Sequence, residues 1–587
     1  MSRRRSLLER IKRALLYRPY IKLMIINVMV LTANLISGFV DNIMISRFLG
    51  PEALSAVGYF SPVAAFSGFA VAVVTGTVII CGGFIGSGKQ NQVNVMFISS
   101  FITITALAFL FSFSLYVFRV PLTALLGARD SVAVLLQNYI KGYSFSILFS
   151  SLASLLIALA PYNNDIKRSY IATGIMYVSN IFLDGFLAGL WGIYGIGIAS
   201  TISCLISFLI LIPGYADARK TVHFGRAPFD AALTLRAIKL GLPYLLITCA
   251  FFVRNSLTNY AVIQAAGAEG IAVVNVMVSV AGIAGALSGG CTNAFQSLAS
   301  VLYGEEDREA YIAVAKIALY LRQVYTFILV LFMTLFSSAC SAVFFAPQTR
   351  SFDMCRDMFA LGFWYYLLNI PINLLLSSYR VQGKLTLVNF MAFFETAVIG
   401  IFAVILTPVF GVRGAWVSGM FGDVVSLAVI AVSVFIQKKK FDMSWAAMLK
   451  LPDDFGTDKE QFAEFTVRSK EEVSAVSDAI VKFCRERVDD SKRAFWAGLC
   501  VEEIACNILE HGFYKGGYNT IDIRVVYKDS LAIRIHDDCR KFDPREYMKL
   551  FDANSPEKAI GLRMVAALAK SIDYYNNAGI NTLLIKV

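Results

Sequence analysis

The sequence predicts a polytopic α-helical membrane body of about twelve spans in two six-helix bundles, followed by a C-terminal α/β domain. Three observations predict it. The 587 residues are 57% hydrophobic and only 16% charged, with a mean hydropathy of +0.64, far from soluble composition. Apolar runs of spanning length succeed one another from Ile21 to Ile436. After Lys438, Lys439 and Lys440 the pattern changes to alternating strands and amphipathic helices.

Residues 1–20 form a basic segment carrying Arg3, Arg4, Arg5, Arg10, Lys12 and Arg13. The run that opens at Ile21 is too long for a signal-peptide core and lacks a small-residue cleavage site, so it reads as the first span. Further runs begin near Ala53, Val93, Val132, Ser169 and Ile193, filling an N-terminal bundle over 21–214. A loop over 215–240 holds Arg219, Lys220, Arg226, Arg236 and Lys239. Runs near Gly241, Ile271, Ile312, Met358, Leu387 and Trp416 then fill a C-terminal bundle over 241–437. Lys89, Lys167, Arg168, Arg308, Arg380 and Lys384 fall on the same side as the basic loop, so both termini are expected in the cytoplasm of a cell-membrane protein. Topology therefore accounts for the net charge of +12, and no nucleic-acid partner is expected. The cysteines show no CxxC pair, which argues against a disulfide framework or a zinc site.

The body repeats itself. Gly50-Pro51-Glu52 within Phe48–Val57 recurs as Gly267-Ala268-Glu269 within Ala265–Val274, and Gly192-Ile193-Tyr194-Gly195 recurs as Gly411-Val412-Arg413-Gly414. Parallel halves of six helices imply a cavity between them and alternating access by rocking. Beyond a linker over 438–457, the domain at 458–587 shows a strand near Glu464–Val467 and helices over Glu471–Arg487 and Ser491–Leu509. A strand pair carrying Ile521, Ile523, Val525 and Leu531, Ile533, Ile535 turns at Lys528-Asp529-Ser530, and a helix near Ala559–Lys570 precedes a last strand at Thr582–Val587.

Ionisable groups in a span are costly, which makes Asp41 and Asp184 site candidates. Asn34 lies about two turns from Asp41, and Asn180 lies one turn from Asp184 on the same face, so carboxylate and amide oxygens can meet a cation or a shared proton. The repeat places Thr258 and Ala403 at the equivalent positions, so only the first half has the acid pair. Glu395, Asp423 and Arg254 also fall in spans. Gly83, Gly88 and Lys89 have phosphate-loop spacing, but Gln90 stands where magnesium needs a hydroxyl and a membrane helix precedes them, so no phosphate loop is assigned.

The Asp41–Gly50 region, Asn180–Asp184 followed by Gly192, Gly195, Gly197, Ala199 and Thr201, Gly241-Leu242-Pro243 and the duplication resemble the MATE multidrug and toxin extrusion transporters, over most of Ile21–Ile436. The resemblance implies antiport of small organic, often cationic, compounds against protons or sodium. Asp41, Tyr139, Asn180 and Asp184, with Thr201 less closely, match coupling positions of the branch that resembles DinF proteins. Where that branch often has an asparagine on the fourth helix, Ser151 or Ser154 stands here, which favours proton over sodium.

In the C-terminal domain Glu503 and Asn507 are one turn apart, so a base and a magnesium ligand would face one pocket. Asp537-Asp538-Cys539-Arg540-Lys541 follows a strand, and Gly561-Leu562 opens the last helix. These residues resemble the histidine-kinase-like ATPase fold, and most closely anti-sigma-factor serine kinases. That likeness makes Glu503 the general base, Asn507 the magnesium ligand, Asp537 the adenine reader and Gly561 part of the nucleotide site, with ATP and magnesium as ligands. Cys539, Lys541 and Lys558-Ala559-Ile560 replace expected glycines, and side chains there hinder backbone approach to a nucleotide. The expectation is a gradient-driven antiporter with a head that senses nucleotide or a cytoplasmic regulator. Two alternatives stand beside it: a receptor whose head acts as a serine kinase or sequesters a regulator, and a lipid-linked saccharide flippase, against which the acids of the first half argue.

Overall fold

The computed structural model describes residues 16–32, 41, 44–45, 49, 51–65, 68–126, 128–439, 442, 444–456, 460–487, 490–513, 520–527, 531–540, 543, 560–577 and 580–587. Asn34, Lys528–Ser530, Lys541 and Lys558-Ala559 lie outside them. The body is helical throughout. Residues 16–32 are α1, and the chain continues through α2 (Pro51–Ala65), α3 (Gly68–Gly86), α4 (Gln90–Val117), α5 (Arg119–Leu125), α6 (Asp130–Tyr143), α7 (Ser146–Leu159), a tight turn Ala160–Asn163 and α8 (Ile166–Leu211). The second half holds α9 (Ala231–Gly304), α10 (Arg308–Leu335), α11 (Ser337–Ala342), α12 (Arg350–Leu361), α13 (Tyr366–Val381), α14 (Leu385–Phe410) and α15 (Val412–Lys438).

Among the described residues nine helices are long and apolar enough to cross a membrane, and the pair Arg350–Leu361 and Tyr366–Val381, bent by 50°, counts as a tenth when taken as one broken span. Dividing Ile166–Tyr215 at Gly192 and adding α1 brings these to the twelve runs read from sequence. Gly192 and Gly411 show how neighbouring spans are joined. Each takes a positive φ, +59° and +60°, with ψ near the opposite extreme at −139° and −153°, a region open essentially to glycine. A Cβ on Gly195 would stand 2.1 Å from the Leu187 carbonyl, so the chain folds straight back on itself. The two halves meet where α3 lies along α9: a Cβ on Gly76 would be 2.0 Å from the Ala237 oxygen and one on Gly86 2.0 Å from the Val301 oxygen. Small residues let the backbones touch, as in other membrane helix pairs.

After a short helix α16 (Trp445–Met448) comes the head, with β1 (Phe462–Val467), α17 (Lys470–Arg485), α18 (Ser491–Asn507), β2 (Ile521–Tyr527), β3 (Leu531–Asp537), α19 (Ile560–Leu568), β4 (Ser571–Asn577) and β5 (Ile580–Lys586). The sheet runs β1-β2-β3-β5-β4, antiparallel throughout. β4 is an addition to the sequence reading, since its polar Asp573, Asn576 and Asn577 hide it. Ile521, Ile523, Val525, Ile533 and Ile535 form one face, which packs on α17 and α18. Alternation sends Asp522, Arg524, Arg534 and His536 to the other face, and these are also buried, because that face rests on the body.

Candidate functional site

In the first half, Asp184 on α8 is fully buried, and neither of its oxygens receives a hydrogen bond from a described group. Its carboxyl neighbours that of Asp41, which is itself mostly buried. Asn180, one turn earlier on α8, is 6% exposed. Tyr139 lies in the field of both carboxyls, stacks on Tyr143 at 5.2 Å and meets Phe60 edge-on at 5.6 Å. The result is two side-by-side acids walled by aromatic rings, and like charges so placed favour holding one proton or one cation between them. The Thr201 hydroxyl donates to the Gly142 carbonyl at 2.7 Å, and the Ser151 hydroxyl donates to Ile147 within its own helix at 2.6 Å. Asn34 is not among the described residues.

The second half buries Glu395 and Asp423 as well. Asn369, which sequence reasoning did not single out, donates to Glu395, while Arg254 sits over the Tyr365 ring at 5.5 Å. No ion pair joins Arg254 to either acid among the described residues.

In the head, Glu503 on α18 faces α19, with Asn507 one turn further along α18. A Cβ on Gly561 would stand 1.8 Å from the Glu503 carboxylate, so with a larger residue there that flexible side chain would have to turn aside. The Asn507 amide nitrogen donates to the Glu503 carbonyl at 2.6 Å, which leaves its oxygen as the available ligand for magnesium. No cluster of three His, Cys, Asp or Glu that could hold a metal ion is found among the described residues. The Asp537 carboxylate accepts from Cys539 N at 3.0 Å and from Asn581 at 2.7 Å. Burial pushes Asp537 up to about 6, against those two bonds. Asn581 was missed in the sequence; it joins Asp537, Tyr574 and Asn576, and an asparagine in a terminal strand gives no signal of that role. The slot beside Asp537 is narrow and is lined by Ile504, Ile508, Tyr574 and Leu583.

Between head and body lies a buried charge cluster. The loop between α9 and α10 presents Glu305 and Asp307, and Arg534 bonds both at 2.8 Å. Arg524 reaches Asp307 at 3.0 Å, His536 reaches Glu305 at 3.2 Å, and the Tyr575 hydroxyl donates to Glu305 at 2.7 Å. Burial pushes the Glu305 carboxyl up, but the His536 and Arg534 charges and the hydrogen bonds outweigh it and hold it at about 2. The head also touches the first half: β4 packs on the turn Ala160–Asn163, and Leu584 lies against Gly88.

Residues 26–185 match the MatE family model, and residues 467–587 match the model of the histidine kinase-like ATPase domain. No curated protein matches the chain. Among solved structures, an outward-facing multidrug resistance MATE family transporter of the MOP superfamily is 19% identical over 75% of this chain and 98% of its own, with a TM-score of 0.67. A mutant of a Vibrio cholerae MATE transporter is 16% identical over 73% and 98%, with a TM-score of 0.66. A Pyrococcus furiosus MOP superfamily transporter, described as having a binding pocket of reverse polarity, is 19% identical over 72% and 95%, with a TM-score of 0.63. The chain thus joins a MatE domain, within a multi-pass membrane body of the MATE fold, to a C-terminal histidine kinase-like ATPase domain.

Proposed function

We propose that this protein is a proton-coupled antiporter that exports small organic cations across the cell membrane and is regulated by its cytoplasmic head. The observation that carries the reading is the buried pair Asp41 and Asp184: a cationic substrate and a proton compete for it, so loading one releases the other as the halves rock. Likeness to the multidrug resistance transporter supports the substrate class. The head's contribution is a clamp. It grips Glu305 and Asp307 of one half and the Gly88 loop of the other, at the end where α3 and α9 meet. Opening that end separates the loops, so head release and opening go together. Adenine nucleotide read by Asp537, with magnesium at Asn507, or a regulator protein, would set how tightly the clamp holds.

Ethidium efflux under an imposed proton gradient tests this in cells expressing the parent, Asp184→Asn and Glu503→Ala. The expected result is loss of efflux in Asp184→Asn alone. Efflux at the parent rate in a well-expressed Asp184→Asn would reject the coupling role.

A further inference from the structure

A cleft of about 820 Å³ opens on the head-side flank of the membrane body, away from the buried acids. Its walls come from both halves. Tyr17 and Arg18 stand at the start of α1, while Lys316, Leu319 and Tyr320 lie along α10, with Pro371 of α13 opposite. Trp445, on the short helix that leads toward the head, closes one side.

The lining divides by chemistry. Ile317, Leu319, Leu321 and Pro371 make an apolar trough, and Arg18 and Lys316 bring two cations to it. Lys316 lies over the Trp445 ring at 5.8 Å and has no carboxylate within ion-pair distance among the described residues. Among the described residues Arg18 has only Asp538 of the head as an ion-pair partner, at 3.9 Å, and 75% of its side chain is exposed. Tyr17 and Tyr320 are exposed beside them, as aromatic side chains are at a membrane boundary.

Two under-neutralised cations beside an apolar trough call for a ligand with an acidic head and a long hydrocarbon tail. An organic cation is repelled by the same pair. We infer that this cleft binds one anionic phospholipid of the head-side leaflet, its phosphate between Arg18 and Lys316 and an acyl chain along Leu319 and Pro371. Arg18 belongs to the first half of the body and Lys316 to the second, so one headgroup neutralises both and ties the halves together. The inference does not depend on what the protein transports.

The test is native mass spectrometry of the full-length protein released from nanodiscs of mixed phosphatidylglycerol and phosphatidylethanolamine. The parent should retain phosphatidylglycerol selectively, and the double variant Arg18→Gln, Lys316→Gln should lose retention roughly tenfold or more, on the scale of two basic contacts at a membrane surface. Arg18→Lys with Lys316→Arg keeps both charges and should retain the lipid, which separates charge from folding. Trp445→Ala should weaken retention without altering selectivity. Equal retention by the parent and the glutamine pair, equal retention of the two lipids, or displacement of phosphatidylglycerol by ethidium would each overturn the assignment.

Discussion

Arg534 of the head donates to Asp307 of the body at 2.8 Å, and Asp307 also caps α10 by accepting from Ala310 N at 3.0 Å. One carboxylate thus ends a membrane helix and anchors the head.

Removing that arginine leaves Glu305 and Asp307 buried with part of their neutralising charge gone. Arg534→Gln should weaken docking by about 3–5 kcal/mol, the usual cost of breaking a buried pair. Limited trypsin digestion between body and head should accelerate, and Arg534→Lys should fall between, since an ammonium cannot reproduce the two-carboxylate fork. A digestion rate equal to the parent's would dismiss the interface.

Acid should release the head in a defined window. Glu305 is held at about 2 when docked, below an ordinary value of about 4.3, so its contribution is complete above that ordinary value and is lost as pH falls through 2. Following docking by fluorescence transfer between labelled body and head should show a step there that Glu305→Gln lacks.

Asp537 carries the opposite sign. Burial raises it to about 6, so the folded head is favoured while the group is protonated and loses that contribution as pH rises through 6. Denaturant titrations across this range should find a flatter profile in Asp537→Asn than in the parent.

Gly561→Ala should be rescued by a second change. The added methyl meets the Glu503 carboxylate 1.8 Å away, and because that is the tip of a flexible side chain it can turn aside, so the cost should be about 1 kcal/mol or less, the low end for overpacking. Thermal melts should drop slightly in the single variant and recover in Gly561→Ala with Glu503→Ala; a drop that the second change does not recover would mean the added methyl meets something other than Glu503.

At the hairpin between α14 and α15, Gly411→Ala should cost about 1–3 kcal/mol through backbone strain alone, because nothing lies within 4 Å of the site. Melting temperature in detergent measures it, and a neutral result would dismiss the strained geometry.

The succession of apolar helices, the duplicated glycine hairpins and the main strands of the head were legible because each is written locally, in run length, φ-permissive residues and period-two alternation. Asn180 and Asp184 share a face by spacing alone, whereas the proximity of Asp41 to Asp184 depends on how α8 returns against the first helix. The docking face was not legible. Arg524, Arg534 and His536 alternate with isoleucine and valine as they would on a solvated strand, and Glu305-Glu306-Asp307 looks like any acidic loop. Only the pairing of these two segments across 200 and more residues turns them into a buried cluster, and periodicity carries no information about that.

On β3 the adjacent residues His536 and Asp537 point to opposite faces, one toward Glu305 and the other toward Asn581 and the narrow slot beside it. A saturation mutagenesis screen of β2 and β3 should therefore divide by parity. Odd positions such as Ile523, Ile533 and Ile535 would score as folding defects even in an isolated head, while even positions such as Arg524, Arg534 and His536 would be silent there and score only when the head is attached to its membrane body.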